Sequence, residues 1–227
     1  MIKTIKYFTF LSLIALCLVL GLWQIDRGNE KSDIYRSYME GLLDEPKSFN
    51  ELSDKPIQFT SVIIEKSKFQ SLPDKHFLLD NKVFEREAGY EVLSPILVDN
   101  KTMLVNRGWV TNYDRQRLPD ILNLNNNNDL VGYIYYYGEA YELEKQSYSS
   151  DFPMILQNIK INEISSVLGI DMLPYILILS KSDNDNYLVK SKYKKNPELK
   201  HYMYAGQWFL FAIIGFVFML ILLRRDR

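Results

Sequence analysis

One cysteine and two histidines in 227 residues are few, and each scarcity removes a class of function. A lone Cys17 excludes an intrachain disulfide framework and a thiolate metal cluster. With only His76 and His201, a multi-histidine metal site within one chain is excluded as well. Copper delivery would want cysteine or clustered methionine, and the seven methionines are scattered. There is no phosphate-cradling glycine loop, no Gly-x-Ser-x-Gly elbow and no His-Glu-x-x-His, so no enzyme motif is present. Asp80, Glu85, Glu87 and Glu91 look like solvated turn charges. Lysine and arginine number 27 against 28 acids, which gives no basic excess for a nucleic-acid partner.

Charge is missing altogether from two stretches, and that absence organises the chain. Tyr7 to Ile25 and Tyr202 to Leu223 hold no charged residue over 19 and 22 positions. At about 1.5 Å per residue, each can cross a hydrocarbon core of roughly 30 Å as a helix. The expected layout is a tail at 1–6, a span at 7–25, a domain at 26–201, a second span at 202–223 and a tail at 224–227. The first run continues through Leu20, Leu22 and Trp23 without a small-x-small cleavage site, which favours a retained anchor over a signal peptide. Both tails carry basic residues and read as cytoplasmic. Arg27, Lys31 and Arg36, with Lys190 to Lys200, argue the opposite way. Long translocated domains partly escape that rule, so the domain is expected outside.

Within the domain, Ile34, Tyr38 and Leu42 recur at helical spacing, which predicts that the first helix continues past the membrane until Pro46 ends it. Strands are predicted over 56–65, 76–84, 90–98 and 102–111, with Asp80-Asn81 and Asp99-Asn100 as turns. Residues 125–129 read as an exposed polar loop. Leu130 to Tyr141 reads as a tyrosine-rich strand showing Val131, Tyr133, Tyr135 and Tyr137 on one face. Asn162 is expected to cap a short helix that Gly169 stops, before a strand at 174–179. The fold class expected is membrane-anchored α+β: two transmembrane helices flanking one β-rich, antiparallel domain, open or closed like a barrel.

Three segments carry candidate binding chemistry. His201 opens the second span, with Tyr204, Ala205 and Trp208 on the same helical face. Ala205 and Gly206 leave room there, and Tyr204 and Trp208 can wall a flat apolar ligand. An imidazole at the mouth of an apolar groove is what an axial haem ligand requires. Interfacial solvation alone accounts for the same residue types. In Val105-Asn106-Arg107-Gly108-Trp109, Arg107 can meet an acidic partner or a propionate, or it can pair locally beside a core Trp109. Trp23 and Arg27 suit the membrane interface, and Gly21 would let a second helix approach, with Ala212 and Gly215 as the matching groove.

Gly21-Leu22-Trp23-Gln24 with Arg27 and Lys31, Asn106 to Trp109, and His201, Tyr204, Ala205, Trp208 and Phe209 stand in that order along the chain. Together they resemble the surfeit-locus-protein-one family, which assists assembly of haem-copper terminal oxidases, chiefly cytochrome c oxidase. Lys82 departs from the arginine the family more often shows, and Glu198-Leu199-Lys200 replaces its asparagines ahead of the histidine. The resemblance implies a non-enzymatic assembly factor of the bacterial inner membrane, or of the mitochondrial one. Its domain would be periplasmic, or in the intermembrane space. Its partners would be membrane lipid, the oxidase catalytic subunit and the haem a synthase. His201 would be the iron ligand for haem a, with Tyr204 and Trp208 as walls; Arg107, Trp109, Trp23 and Arg27 are candidates for partner binding. The rival reading is a scaffold that binds a folding subunit through Arg107 and the tyrosine strand without touching haem. An anchored sensor is a third, but its tails leave nothing to signal with.

Overall fold

The computed structural model describes residues 2–112, 117–124, 126–138, 148, 151–181, 183 and 187–225. It divides into two units, a helical one of residues 1–39 with 192–227 and a sheet domain of residues 40–191. The ends of the tyrosine stretch at 139–141, of the polar loop at 125, and the tail at 226–227 lie outside the described residues.

Helix α1 runs unbroken from Ile2 to Leu43, and helix α3 from Leu199 to Arg225. Both are long and apolar enough to cross a membrane. As expected, α1 carries on well beyond the apolar run, and it ends three residues before Pro46. The two helices pack antiparallel. Tyr7 Oη donates to the Leu222 carbonyl at 3.4 Å. Ile14 lies against Gly215, and the rings of Phe209 and Tyr202 fill the space where Gly21 and Gly28 have no side chain. The main-chain N–H of Lys192 donates to Tyr38 Oη at 3.2 Å.

That seam has a heptad rhythm. Tyr7, Phe10, Ile14, Cys17, Gly21, Gln24 and Gly28 of α1 follow alternating steps of three and four and are all buried or half-buried. His201, Ala205, Trp208, Ala212, Gly215, Met219 and Leu222 do the same on α3. Steps averaging 3.5 residues keep one stripe facing a partner helix, the left-handed coiled-coil solution. Gly21 therefore meets Phe209, not the Ala212–Gly215 groove expected for it.

The domain is one mixed sheet. Its strands are β1 (Lys47–Ser48), β2 (Ser61–Ile64), β3 (Phe69–Ser71), β4 (Phe77–Phe84), β5 (Glu87–Val98), β6 (Lys101–Thr111), β7 (Leu130–Tyr135), β8 (Met154–Leu156) and β9 (Met172–Leu179). Their order is β1-β2-β7-β9-β6-β5-β4-β8, with β3 on β5. The sheet is not closed, so the barrel option falls. Nor is it purely antiparallel: β1 with β2, β4 with β8, and β6 with β9 run parallel. Helix α2 (Ile161–Leu168) precedes β9 and supplies the crossover that brings it parallel to β6. Alternate residues of neighbouring strands make the larger core, among them Val62 and Ile64, Ile96 and Val98, Met103 and Val105, and Leu177 and Leu179.

Local corrections have local causes. The strand predicted from 56 to 65 begins only at Ser61, because Ile57 to Thr60 is a turn. Thr60 donates twice to the Ile57 carbonyl, and Phe59 is left-handed with φ 70°. Asp80-Asn81 is no hairpin turn but an irregularity inside β4, where the pairing register slips between Leu79 and Lys82 and Asn81 has φ 59°. Glu85 and Arg86, with φ 47° and 73°, make that hairpin. Asp99-Asn100 does turn the next one, with φ 47° and 60° at its two central residues, the left-handed pair a twisted two-residue hairpin uses. Asn162 sits inside α2, not at its cap; Lys160 is the capping residue and Gly169, at φ 67°, closes the helix.

Candidate functional site

Two polar centres stand out, one in each unit. In the domain the origin is a bulge. Val92 pairs with Gly108 and Leu93 with Asn106, so Arg107 is the extra residue of β6. Gly108 makes this possible with φ 121°, where a side chain would also meet the Leu188 carbonyl at 2.9 Å. A bulge re-aims the side chain it carries, and here it turns Arg107 inward to complete burial. The guanidinium donates through Nε and Nη2 to both oxygens of Asp183 at 2.6–3.1 Å. Nη1 donates to the Leu122 carbonyl at 2.6 Å and to Ser94 Oγ at 3.3 Å, while the Tyr187 ring lies 4.8 Å from the guanidinium carbon.

His76 completes this network. Its Nδ1 is 2.9 Å from Ser94 Oγ and its Nε2 is 2.8 Å from Asn123 Oδ1. The side-chain oxygen of Asn123 can only accept, so Nε2 carries the proton and Nδ1 accepts from Ser94. Together Arg107, His76 and Tyr187, whose hydroxyl accepts from Leu122 N–H at 3.2 Å, pin the segment 121–124 to the sheet. Trp109 is buried next to this centre, donating from Nε1 to the Lys82 carbonyl at 2.9 Å. Lys190 stacks its ammonium on Trp109 and Phe84, at 4.5 and 4.8 Å from the ring centroids. The Asn-Arg-Gly-Trp motif is thus an internal brace, with Arg107 paired inside the domain.

Burial pushes the His76 pKa below its ordinary value of 6.5, Arg107 adds to that, and the Asn123 bond opposes it. The folded domain therefore holds this ring neutral. As pH falls below about 6.5 the unfolded chain takes up a proton that the folded one refuses, so stability is lost towards acid. The contribution to the slope is at most about 1.4 kcal/mol per pH unit. Melting temperatures measured from neutral pH downward should fall less steeply in His76→Gln than in the native chain.

The second centre lies on the helical seam. His201 is half-buried, and its Nδ1 is 2.8 Å from Gln24 Oε1 on α1. Nε2 forms no hydrogen bond among the described residues. Next to it, Tyr202 Oη donates to Asn29 Oδ1 at 2.8 Å. Trp208, two helical turns along, shares the seam with His201 and packs edge-on to Phe211 at 6.0 Å. Tyr204 points off the seam and is half exposed. The room expected at Ala205 is taken by packing, since Ala205 is buried; the open space is at exposed Gly206. Trp23 is exposed one residue before Gln24, and Arg27 pairs with Glu30. Lys200, Arg27 and Lys31 are close enough for their field to reach the imidazole, with Glu30 acting against them.

Gln24 was not singled out as a site residue in the sequence reading, although the signal was there. A glutamine in an apolar helix, on the same stripe as Gly21 and Gly28, needs a polar partner across the seam. Among the described residues no group of three or more His, Cys, Asp or Glu side chains is placed to hold a bare metal ion, so what this centre offers iron is one imidazole nitrogen.

No curated protein matches the chain closely. A family model does: the SURF1 family, over residues 11–213, which takes in the whole sheet domain, most of α1 and about the first half of α3.

Proposed function

Because the chain belongs to the SURF1 family, a family of cytochrome oxidase assembly factors, we propose that it is a membrane-anchored haem carrier for oxidase assembly. In this reading α1 and α3 span the inner membrane, and the sheet domain stands on the periplasmic or intermembrane-space side. The observation that carries the proposal is the free Nε2 of His201 on a helix seam whose other ring nitrogen is already engaged. An imidazole so held is a neutral nitrogen ligand on an apolar surface, the requirement for axial ligation of haem iron.

Haem a is cargo here. Trp208 and the half-exposed Tyr204 flank the ligand along α3 and would meet the macrocycle, and Arg27, Lys31 and Lys200 supply cations for its carboxylates. One protein ligand suits a carrier, because a single axial bond can be exchanged for one from the oxidase catalytic subunit. The haem a synthase would be the donor. The protein's part is binding and orientation, not catalysis.

The test is an absorption spectrum of the chain purified in mild detergent from cells making the haem a synthase, beside His201→Ala. A haem a band lost by at least tenfold in the variant is the expected result. No band in either sample, with oxidase assembly still dependent on the chain, would leave it a scaffold for a folding subunit.

A further inference from the structure

We propose that Gln24 is the positioning residue for His201, fixing its proton on Nδ1 so that Nε2 presents a lone pair; the inference rests on the haem-carrier reading for what that lone pair binds. A neutral imidazole has one N–H and one acceptor nitrogen, and its partner decides which is which. The Gln24 side chain reaches across the seam and places its carbonyl oxygen 2.8 Å from Nδ1. An oxygen acceptor there holds the proton on Nδ1. Free histidine prefers the opposite tautomer, with the proton on Nε2, which would block ligation. The bond also ties the ring to α1, so its plane is set by two helices.

The hairpin itself locates the pair. Gly21 and Gly28 sit one turn to either side of Gln24 on α1, and each accepts an aromatic ring from α3 in place of a side chain. Those two close approaches bring the helices near enough for a glutamine side chain to span the seam. A neutral amide in place of a carboxylate has a chemical consequence. Hydrogen-bonded partners raise the basicity of a ligating imidazole, and charged ones raise it more. Glutamine therefore gives orientation with only a modest gain in bond strength, which fits a ligand that must let go.

Tautomers are read directly by nitrogen NMR of histidine-labelled protein in detergent, above neutral pH. Only His76 and His201 contribute signals, and His201→Ala assigns them. The native chain should show His201 protonated on Nδ1. Gln24→Leu should shift it largely to Nε2–H and weaken haem binding about 10–100-fold, the usual effect of losing such a partner. Gln24→Glu should restore the Nδ1 proton, bind haem at least as tightly as the native chain and raise the iron–histidine stretching frequency. An Nε2–H tautomer in the native chain, or the same tautomer with and without Gln24, overturns the proposal. If no variant takes up haem while Gln24 still sets the tautomer, the carrier reading fails and the positioning of the ring stands.

Discussion

Asp183→Ala should be the most damaging single change in the sheet domain, costing about 3–5 kcal/mol of stability. Among the described residues the carboxylate is the only charged partner of a guanidinium with no exposed surface, and its own side chain is 4% exposed. Removing it strands a buried positive charge, which is far worse than never having had the pair. For a domain of this size the loss corresponds to roughly 6–20 °C in melting temperature, at about 2–4 °C per kcal/mol. Thermal unfolding of the full chain in detergent, followed by circular dichroism, measures it. The double variant Arg107→Met with Asp183→Leu should recover much of the loss, because no charge is then left buried. Removing one partner of the exposed Arg27–Glu30 pair, by Glu30→Gln, should move the melting point hardly at all. Equal losses for the two pairs would contradict the account of Arg107 as an internal brace.

The contrast between those pairs also shows what a sequence can carry. Both are an arginine and an acid, and nothing in the residue types separates them. Glu30 stands three residues from Arg27 and is visible as a helical neighbour. Asp183 is 76 residues from Arg107 and meets it only because the parallel pairing of β6 and β9 folds the chain back. Gly108 announced that the backbone does something special after Arg107. Whether the bulge would aim the arginine outward or inward depended on the register of β5 against β6. The strands β4, β5 and β6 and the Asp99-Asn100 hairpin were legible because their contacts are local, although the turn between β4 and β5 falls at Glu85-Arg86 and not at Asp80-Asn81. The parallel ladders were not, since period-two alternation is the same in either direction.

The two long apolar helices were legible for the opposite reason and illegible in their detail. Two uncharged runs declare two helices without any knowledge of partners. In helices that are apolar all round, however, hydrophobic contrast vanishes, and the interface is written instead in small and polar residues. Gly21, Gln24 and Gly28 on one side, with His201, Ala205 and Ala212 on the other, mark that seam. Read for hydropathy they are gaps; read at steps of three and four they are the contact surface. That spacing puts Gln24 on the seam, a signal of the histidine's partner that only the structure brought out.

Gly21→Leu puts this view of the seam to its hardest test, because it changes no group that touches the imidazole. A Cβ at Gly21 would fall 2.5–2.9 Å from three atoms of the Phe209 ring, and a leucine adds three more carbons beyond it. The Phe209 ring must swing aside or the helices must open, and opening is the expected response because the approach at this level is set by the absent side chain. Gln24 is less than one turn further on, so widening the seam breaks the Gln24–His201 bond. We expect haem loading to fall at least tenfold, to the level of Gln24→Leu, with His201 intact. In chains carrying Tyr7→Cys, Leu222→Cys and Cys17→Ser, linking by a short bismaleimide should drop in parallel, since those positions pack across the seam nearly four turns away. Leucine at Gly206, which has nothing within 4 Å, should change neither the cross-link nor the Gln24–His201 bond. If Gly21→Leu loads haem normally while the cross-link is lost, His201 works without α1. A ligand that needs its partner helix behaves the other way: it fails when the seam opens, although every atom of the histidine is still there.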